Sequence, residues 1–214
     1  MSEGPIAVYG SGGSAREVAW LAEDCGRRVV CFIDDDASRT GRIVNDIPVV
    51  SCREAAERFP DAQIAAGIGS PAARESVVGN AVRHGFAFAT LIHPRVERSR
   101  RIAMGSGVVI CAGSVLTTDI ALGDHVQINV DCTIAHDVEL HDFATLAPGV
   151  HVAGNVTVGR GVWVGTGATI INGTPAHRLT IHEGAIVGAG ACVTKSVEAG
   201  VTVVGVPAMP LAKR

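Results

Sequence analysis

Residues 104–170 read MGSGVVICAGSVLTTDIALGDHVQINVDCTIAHDVELHDFATLAPGVHVAGNVTVGRGVWVGTGATI, and every sixth residue is aliphatic. The series is Met104, Ile110, Leu116, Leu122, Ile128, Ile134, Leu140, Leu146, Val152, Val158, Val164 and Ile170. A helix repeats at 3.6 residues and a strand at 2, so neither sustains a period of six. A short strand and a turn, repeated, does: the six-residue repeat belongs to β-helices. Two residues before each aliphatic one stands another apolar or small residue, as in Val108, Ser114, Val126, Cys132, Val150 and Ala168. Residues i and i−2 share one face of a strand, so both sets are expected inside. Three units make an 18-residue coil, and stacked coils rise about 4.8 Å each.

Gly often follows the inward aliphatic residue, as at Gly105, Gly123, Gly159, Gly165 and Gly188. These glycines are expected at the tight corners of the coil. The register breaks once. After Ile170 the next inward residue is Ile181, and Val187 and Val193 then resume the count. The extra residues predict a loop at 172–179 pushed out of the solenoid.

Composition agrees with a narrow aliphatic core: 47% of residues are hydrophobic, only 4% are aromatic, and 26 of 214 are Gly. The net charge of −3 gives no general attraction to nucleic acid or an anionic membrane. No apolar run approaches the roughly 20 residues that span a bilayer. Six Cys are scattered without a CxxC pair. With no secretory leader before the first strand, reduced thiols and a cytoplasmic location are expected.

The first ninety residues follow a different pattern. Ile6-Ala7-Val8-Tyr9 reads as a strand, Gly10-Ser11-Gly12-Gly13-Ser14 as a loop, and Ala15 to Cys25 as a helix. Val29 to Ile33 is a second strand ending in Asp34-Asp35-Asp36. This is a βαβ unit of the mononucleotide-binding type, although Ala15 stands where a full G-x-G-x-x-G would have its third Gly. The helix N-terminus offers amides to phosphates, and the acids can accept from a ribose or base. A further strand ends in Gly67-Ile68-Gly69-Ser70, and Pro71 opens another helix. Candidate acceptor-binding residues are therefore Gly10, Ser11, Gly12, Gly13, Ser14, Asp34, Asp35, Gly69, Ser70 and, facing a phosphate, Arg74. The reading divides the chain at 1–95 and 96–214, with Leu91-Ile92-His93-Pro94 as the link.

An α/β domain, a hexapeptide solenoid and the ending Gly205-Val206-Pro207-Ala208 together resemble the bacterial NeuD/PglD-like sugar acetyltransferases. The resemblance spans nearly the whole chain. It rests on Gly10-Ser11-Gly12-Gly13, Phe32-Ile33-Asp34-Asp35-Asp36, Ile92-His93-Pro94, Ala135-His136-Asp137 and Ala153-Gly154-Asn155. It implies a Rossmann-like domain that binds a nucleotide-linked sugar, followed by a left-handed parallel β-helix. It also implies a homotrimer with acetyl-CoA as co-substrate in the cleft between neighbouring solenoids, and no metal. His136 would be the general base, Asp137 its orienting acid, and an amide near Gly154 the oxyanion donor. Thr145, Gly154, Arg178 and Lys195 would contact acetyl-CoA, with Lys213 a further phosphate partner. Two departures stand out: Ser14 and Thr145 occupy places where well-known members carry His. The chemistry suits the residues, because an imidazole titrates near neutral pH and a neighbouring carboxylate fixes its tautomer.

Two other readings compete. His136 and His141 are five apart, and His125 and His151 lie in the same solenoid. That spacing resembles the interfacial zinc ligands of trimeric β-helix carbonic anhydrases, which would make the protein a metalloenzyme. Against it, those enzymes lack the N-terminal domain. The third reading is a non-catalytic scaffold that senses a nucleotide sugar. Whether the acceptor atom is nitrogen or oxygen stays open from the sequence.

Overall fold

The computed structural model describes residues 4–211. The chain forms two compact units, residues 1–94 and 95–214. In the first, β1 (Ile6–Tyr9), α1 (Gly13–Asp24) and β2 (Val29–Ile33) form a parallel βαβ unit. The hairpin β3 (Ile43–Val44) and β4 (Ile47–Val50), the helix α2 (Cys52–Arg58), β5 (Gln63–Ala66) and α3 (Pro71–Arg83) follow. The sheet order is β3-β4-β2-β1-β5, parallel except for the β3–β4 hairpin. Chain order therefore reverses beside β1, whose C-terminal end lies between those of β2 and β5. Such a crevice is where open α/β sheets take ligands.

The missing third glycine is explained by Gly67. A Cβ there would stand 2.5 Å from the Cα and 2.8 Å from the Cβ of Ala15. Close approach of helix to strand is thus retained, with the glycine on the β5 side instead of the helix side. Ala15 is fully buried, as are Val18, Ala19, Leu21 and Ala22 along the same face of α1. At the end of this unit His93 is buried, and its Nε2 lies 2.9 Å from Asp24 Oδ2 on α1.

The second unit is a three-sided parallel β-helix. Strands pair with those 18 residues away, as in Val115↔Thr133↔His151↔Thr169 on one face. The other two faces pair Ala121↔Glu139↔Thr157 and Gln127↔Thr145↔Trp163. For pairs that straddle the register break the offset becomes 23, as in Val156↔Leu179 and Thr169↔Cys192, so five residues have been added to one coil. The sixfold aliphatic positions from Ile110 to Ile170, and then Ile181, Val187 and Val193, are all buried. Leu179 is buried too and begins the strand Leu179–Ile181. It therefore belongs to the core, and the extruded loop is residues 171–178.

The corner glycines divide into two kinds. A positive φ recurs every sixth residue from Gly107 to Gly167, and the series includes Asp119, His125, Asp131, Asp137, Phe143 and Asn155. The glycines expected at corners, such as Gly105 and Gly165, are not in that series. They are small because the next coil is close: a Cβ at Gly165 would stand 2.6 Å from the amide N of Ala189. Among the described residues, no helix is long and apolar enough to cross a membrane.

Candidate active site

The crevice of the first unit is a cavity of about 470 Å³. Gly10, Ser11, Gly12, Gly13, Ser14, Asp34, Asp35 and Gly69 all line it. Gly12 caps α1 with no side-chain hydrogen bond, so the first amides of the helix face the cavity bare. Gly10 has φ +115°, and a Cβ there would stand 2.9 Å from the Gly67 carbonyl oxygen. Tyr9, Arg39 and Val77, which the sequence reading passes over, line the cavity as well. Tyr9 had one signal available: it is the last residue of β1, next to the glycine loop.

The two acids differ. Asp34 Oδ2 accepts from Ser11 Oγ at 2.5 Å and lies 3.3 Å from Arg39 Nη1, while Oδ1 accepts from the Asp36 amide at 3.1 Å. Asp34 thus ties the second strand end to the glycine loop. Asp35 is turned inward. Its Oδ2 accepts from the Tyr9 hydroxyl and from Asn80 Nδ2 (2.9 Å), and its Oδ1 from the Cys52 amide (3.0 Å). Both carboxylate oxygens have internal partners, so Asp35 supports the cavity wall instead of presenting a free acid to a ligand. Burial, and then the bond to Asp35, push the Tyr9 hydroxyl pKa up.

Two expected contacts do not hold. Ser70 is outside the cavity lining and is the N-cap of α3, accepting from the Ala73 amide at 3.4 Å. Arg74 does not face a ligand phosphate: it is fully buried and donates to the carbonyls of Ile68 (2.9 Å) and Gly69 (3.0 Å). Burial lowers its pKa to about 10, still far above neutrality, so it is a charged strut beneath the Gly67–Gly69 loop.

In the β-helix, His136 and Asp137 follow the strand Thr133–Ile134 at a corner. His136 Nδ1 lies 2.7 Å from Asp137 Oδ2. An ionised carboxylate only accepts, so this bond places the proton on Nδ1 and leaves the Nε2 lone pair outward. Both side chains are about half exposed, at 56% and 51%. One coil on, Gly154 packs against the ring: a Cβ there would stand 2.6 Å from Cε1 and 2.7 Å from Nε2 of His136. Among the described residues, none accepts from the Gly154 amide, whereas its carbonyl accepts from Gly173 N at 3.0 Å. His136, Asp137 and Gly154 are therefore brought together.

The remaining expected contacts with acetyl-CoA are not. Thr145 is buried in the Gln127–Thr145–Trp163 column, on a different face from the His136 strand, so it exposes nothing beside the imidazole. Arg178 is not a free phosphate partner. Its Nε donates to Thr157 Oγ1 (3.0 Å), and its Nη2 to the carbonyls of Asp137 (2.8 Å) and Val156 (3.1 Å), with Glu139 Oε1 at 3.3 Å. Lys195 is exposed, and Lys213 lies outside the described residues.

The histidines weighed as zinc ligands do not gather within one chain. His125 is buried and stacked on Phe143, His151 Nδ1 lies 2.8 Å from Thr133 Oγ1, and His141 faces Glu139 at 3.6 Å. No group of three or more His, Cys, Asp or Glu among the described residues is placed to hold a metal ion.

Residues 5–81 match the PglD N-terminal domain family. GDP-perosamine N-acetyltransferase of Escherichia coli O157:H7 is 31% identical over 209 residues, covering 94% of this chain and 93% of that protein. PerB from Caulobacter crescentus, solved with CoA and GDP-perosamine, superposes with a TM-score of 0.88 at 30% identity over 98% of both chains. WeeI from Acinetobacter baumannii AYE gives 0.92 at 34% identity over 97% of this chain and 99% of its own. The shared fold is a Rossmann-like domain followed by a left-handed parallel β-helix of hexapeptide repeats.

Proposed function

The chain belongs to the NeuD/PglD-like family of sugar acetyltransferases, and from that premise we propose that it moves the acetyl group of acetyl-CoA to the amino group of a nucleotide-linked sugar. The observation that carries the proposal is the His136–Asp137 pair set against Gly154, with Nε2 left as acceptor. The first unit holds the nucleotide sugar: phosphates meet the bare amides at the start of α1, and the Asp34–Ser11 pair shapes the loop around them. The second unit carries the transfer.

His136 Nε2 takes a proton from the neutral acceptor amine as the nitrogen lone pair forms a bond to the thioester carbonyl carbon. The carbonyl π pair moves to oxygen, and the Gly154 amide donates to that oxyanion. The intermediate collapses, the C–S bond breaks, and the thiolate leaves with the proton held by His136. Asp137 stabilises the imidazolium meanwhile. Such a base contributes on the order of 10²–10⁴ in rate.

The unit of function is a homotrimer. Acetyl-CoA would lie in the cleft between neighbouring solenoids, where the half-exposed His136 can reach its thioester. Lys195 remains the candidate for a CoA phosphate. A cytoplasmic location fits both substrates. GDP-perosamine N-acetyltransferase is a relative over nearly the whole chain, so a GDP-linked amino sugar is the first acceptor to test. The test is CoA release with GDP-, UDP-, dTDP- and CMP-linked amino sugars and their hydroxyl counterparts. Acetylated product from one amino-sugar class alone supports the proposal; turnover of hydroxyl sugars alone, or of none, contradicts it.

A further inference from the structure

The 171–178 loop reaches the His136 corner from both of its ends. At its start Gly173 N donates to the Gly154 carbonyl at 3.0 Å, and the loop packs so closely that a Cβ on Gly173 would stand 2.4 Å from the Asn155 carbonyl oxygen. At its end the Arg178 guanidinium spans three acceptors, Thr157 Oγ1, the Val156 carbonyl and the Asp137 carbonyl. Glu139 adds an opposite charge at 3.3 Å. A planar fork meets such a set in one orientation, which an ammonium cannot do.

The Asp137 carbonyl is a telling place to be held. Asp137 has φ +58°, the left-handed conformation that its corner requires and that Asp tolerates better than most side chains. Its own amide is weakly tied, donating to the Thr118 carbonyl at 3.3 Å. The Arg178 bond to its carbonyl, at 2.8 Å, is the shorter of the two. The side chains of His136 and Asp137 are half exposed, so core packing does not orient them. The corner backbone does, and Arg178 holds it from behind.

We infer that Arg178 is a positioning residue: it fixes the Asp137 corner so that the carboxylate holds His136 in the Nδ1–H tautomer, and it makes the loop part of the transfer site. The inference builds on the acetyl-transfer reading but has a readout independent of it. A misplacement of the order of 1 Å costs roughly 10²-fold in rate, whereas a lost phosphate contact raises KM for acetyl-CoA.

The experiment takes full-length protein with Arg178→Gln and Arg178→Lys. Steady-state kinetics are measured with acetyl-CoA, together with ¹⁵N NMR of the His136 imidazole in substrate-free protein. For Arg178→Gln we expect kcat to fall about 10- to 100-fold, KM for acetyl-CoA to stay within about twofold of wild type, and the Nδ1–H tautomer population to drop. Arg178→Lys should fall between, and it carries the test if the Gln variant does not fold. A raised KM with unchanged kcat, or an unchanged tautomer, overturns the inference. If wild type acetylates no amino sugar but the tautomer responds, the functional proposal fails while the positioning role stands.

Discussion

The His136 imidazole rests against the Cα of Gly154, so closely that a Cβ at position 154 would stand 2.7 Å from Nε2. Gly154 does not have a positive φ. Alanine is therefore allowed by the backbone there and excluded only by the ring. Because the ring is half exposed, it can swing away into solvent. Gly154 is itself buried, but the atoms an added methyl would meet are the movable end of the His136 side chain, so Gly154→Ala should cost no more than about 1 kcal/mol in a thermal melt. It should lower kcat at least about a hundredfold, the range of a lost base. Thermal melting and steady-state kinetics on the same preparation check both halves.

The two neighbouring acids should separate stability from binding. Asp35 is bonded to Tyr9, Asn80 and the Cys52 amide, so Asp35→Ala strands internal donors and should cost about 2–3 kcal/mol. Asp34 holds Ser11 of the glycine loop. Asp34→Ala should leave the melt nearly unchanged and raise the nucleotide-sugar KM about tenfold, a loss of roughly 1.4 kcal/mol. Equal effects of the two variants on stability would contradict this division.

Arg74→Met removes a buried strut from two carbonyls, Ile68 O and Gly69 O. Each orphaned carbonyl costs about 1–3 kcal/mol, so denaturant unfolding should show a loss of roughly 2–6 kcal/mol. A loss below about 1 kcal/mol would mean that the loop finds other donors.

Alkaline pH should weaken the fold through its buried thiols. Burial pushes Cys132 up to about 11 and Cys31 up to about 12. A free thiol titrates near 8.5. These groups are thus raised in the folded state, and their contribution is complete below about 8.5 and lost as pH climbs toward the folded values. Melting temperature should hold steady from pH 7 to 8 and fall above about pH 9. The fall should be smaller in a Cys31→Ala, Cys132→Ala variant. At pH 8 the Cys132 thiolate is scarcer by about a thousandfold than the thiol, so alkylation of folded protein should spare it.

Much of this was readable from local pattern. The period of six placed Ile110 through Ile170 inside, and one register break located the loop. The site residues that the sequence brings together, His136, Asp137 and Gly154, are either adjacent or one 18-residue coil apart, so periodicity alone juxtaposes them. The cations were the weak point. Arg74 reads as a phosphate partner because it opens a helix after a glycine-containing strand end, and Arg178 because the resemblance runs the CoA phosphates past the extruded loop. Their acceptors are mainly backbone carbonyls, joined for Arg178 by Thr157 Oγ1 and Glu139; the Asp137 carbonyl is 41 residues away, and no residue type announces a carbonyl. Gly67 is similar: its reason is the Cβ of Ala15, across the sheet. The apparent gap in the glycine motif and the glycine that answers it are separated by 52 positions. Asp35 misled for the opposite reason, since an acid at a strand end looks available until Tyr9 and Asn80 are seen to occupy it.

The most direct measurement compares wild type with His136→Ala in CoA release from acetyl-CoA and a GDP-linked amino sugar, with CoA binding followed separately. Wild type should release CoA in step with acetylated product. His136→Ala should lose at least about a hundredfold in kcat while binding CoA as wild type does. Turnover of the variant within a few-fold of wild type would contradict a His136 base, and with it the transfer chemistry assigned to this corner.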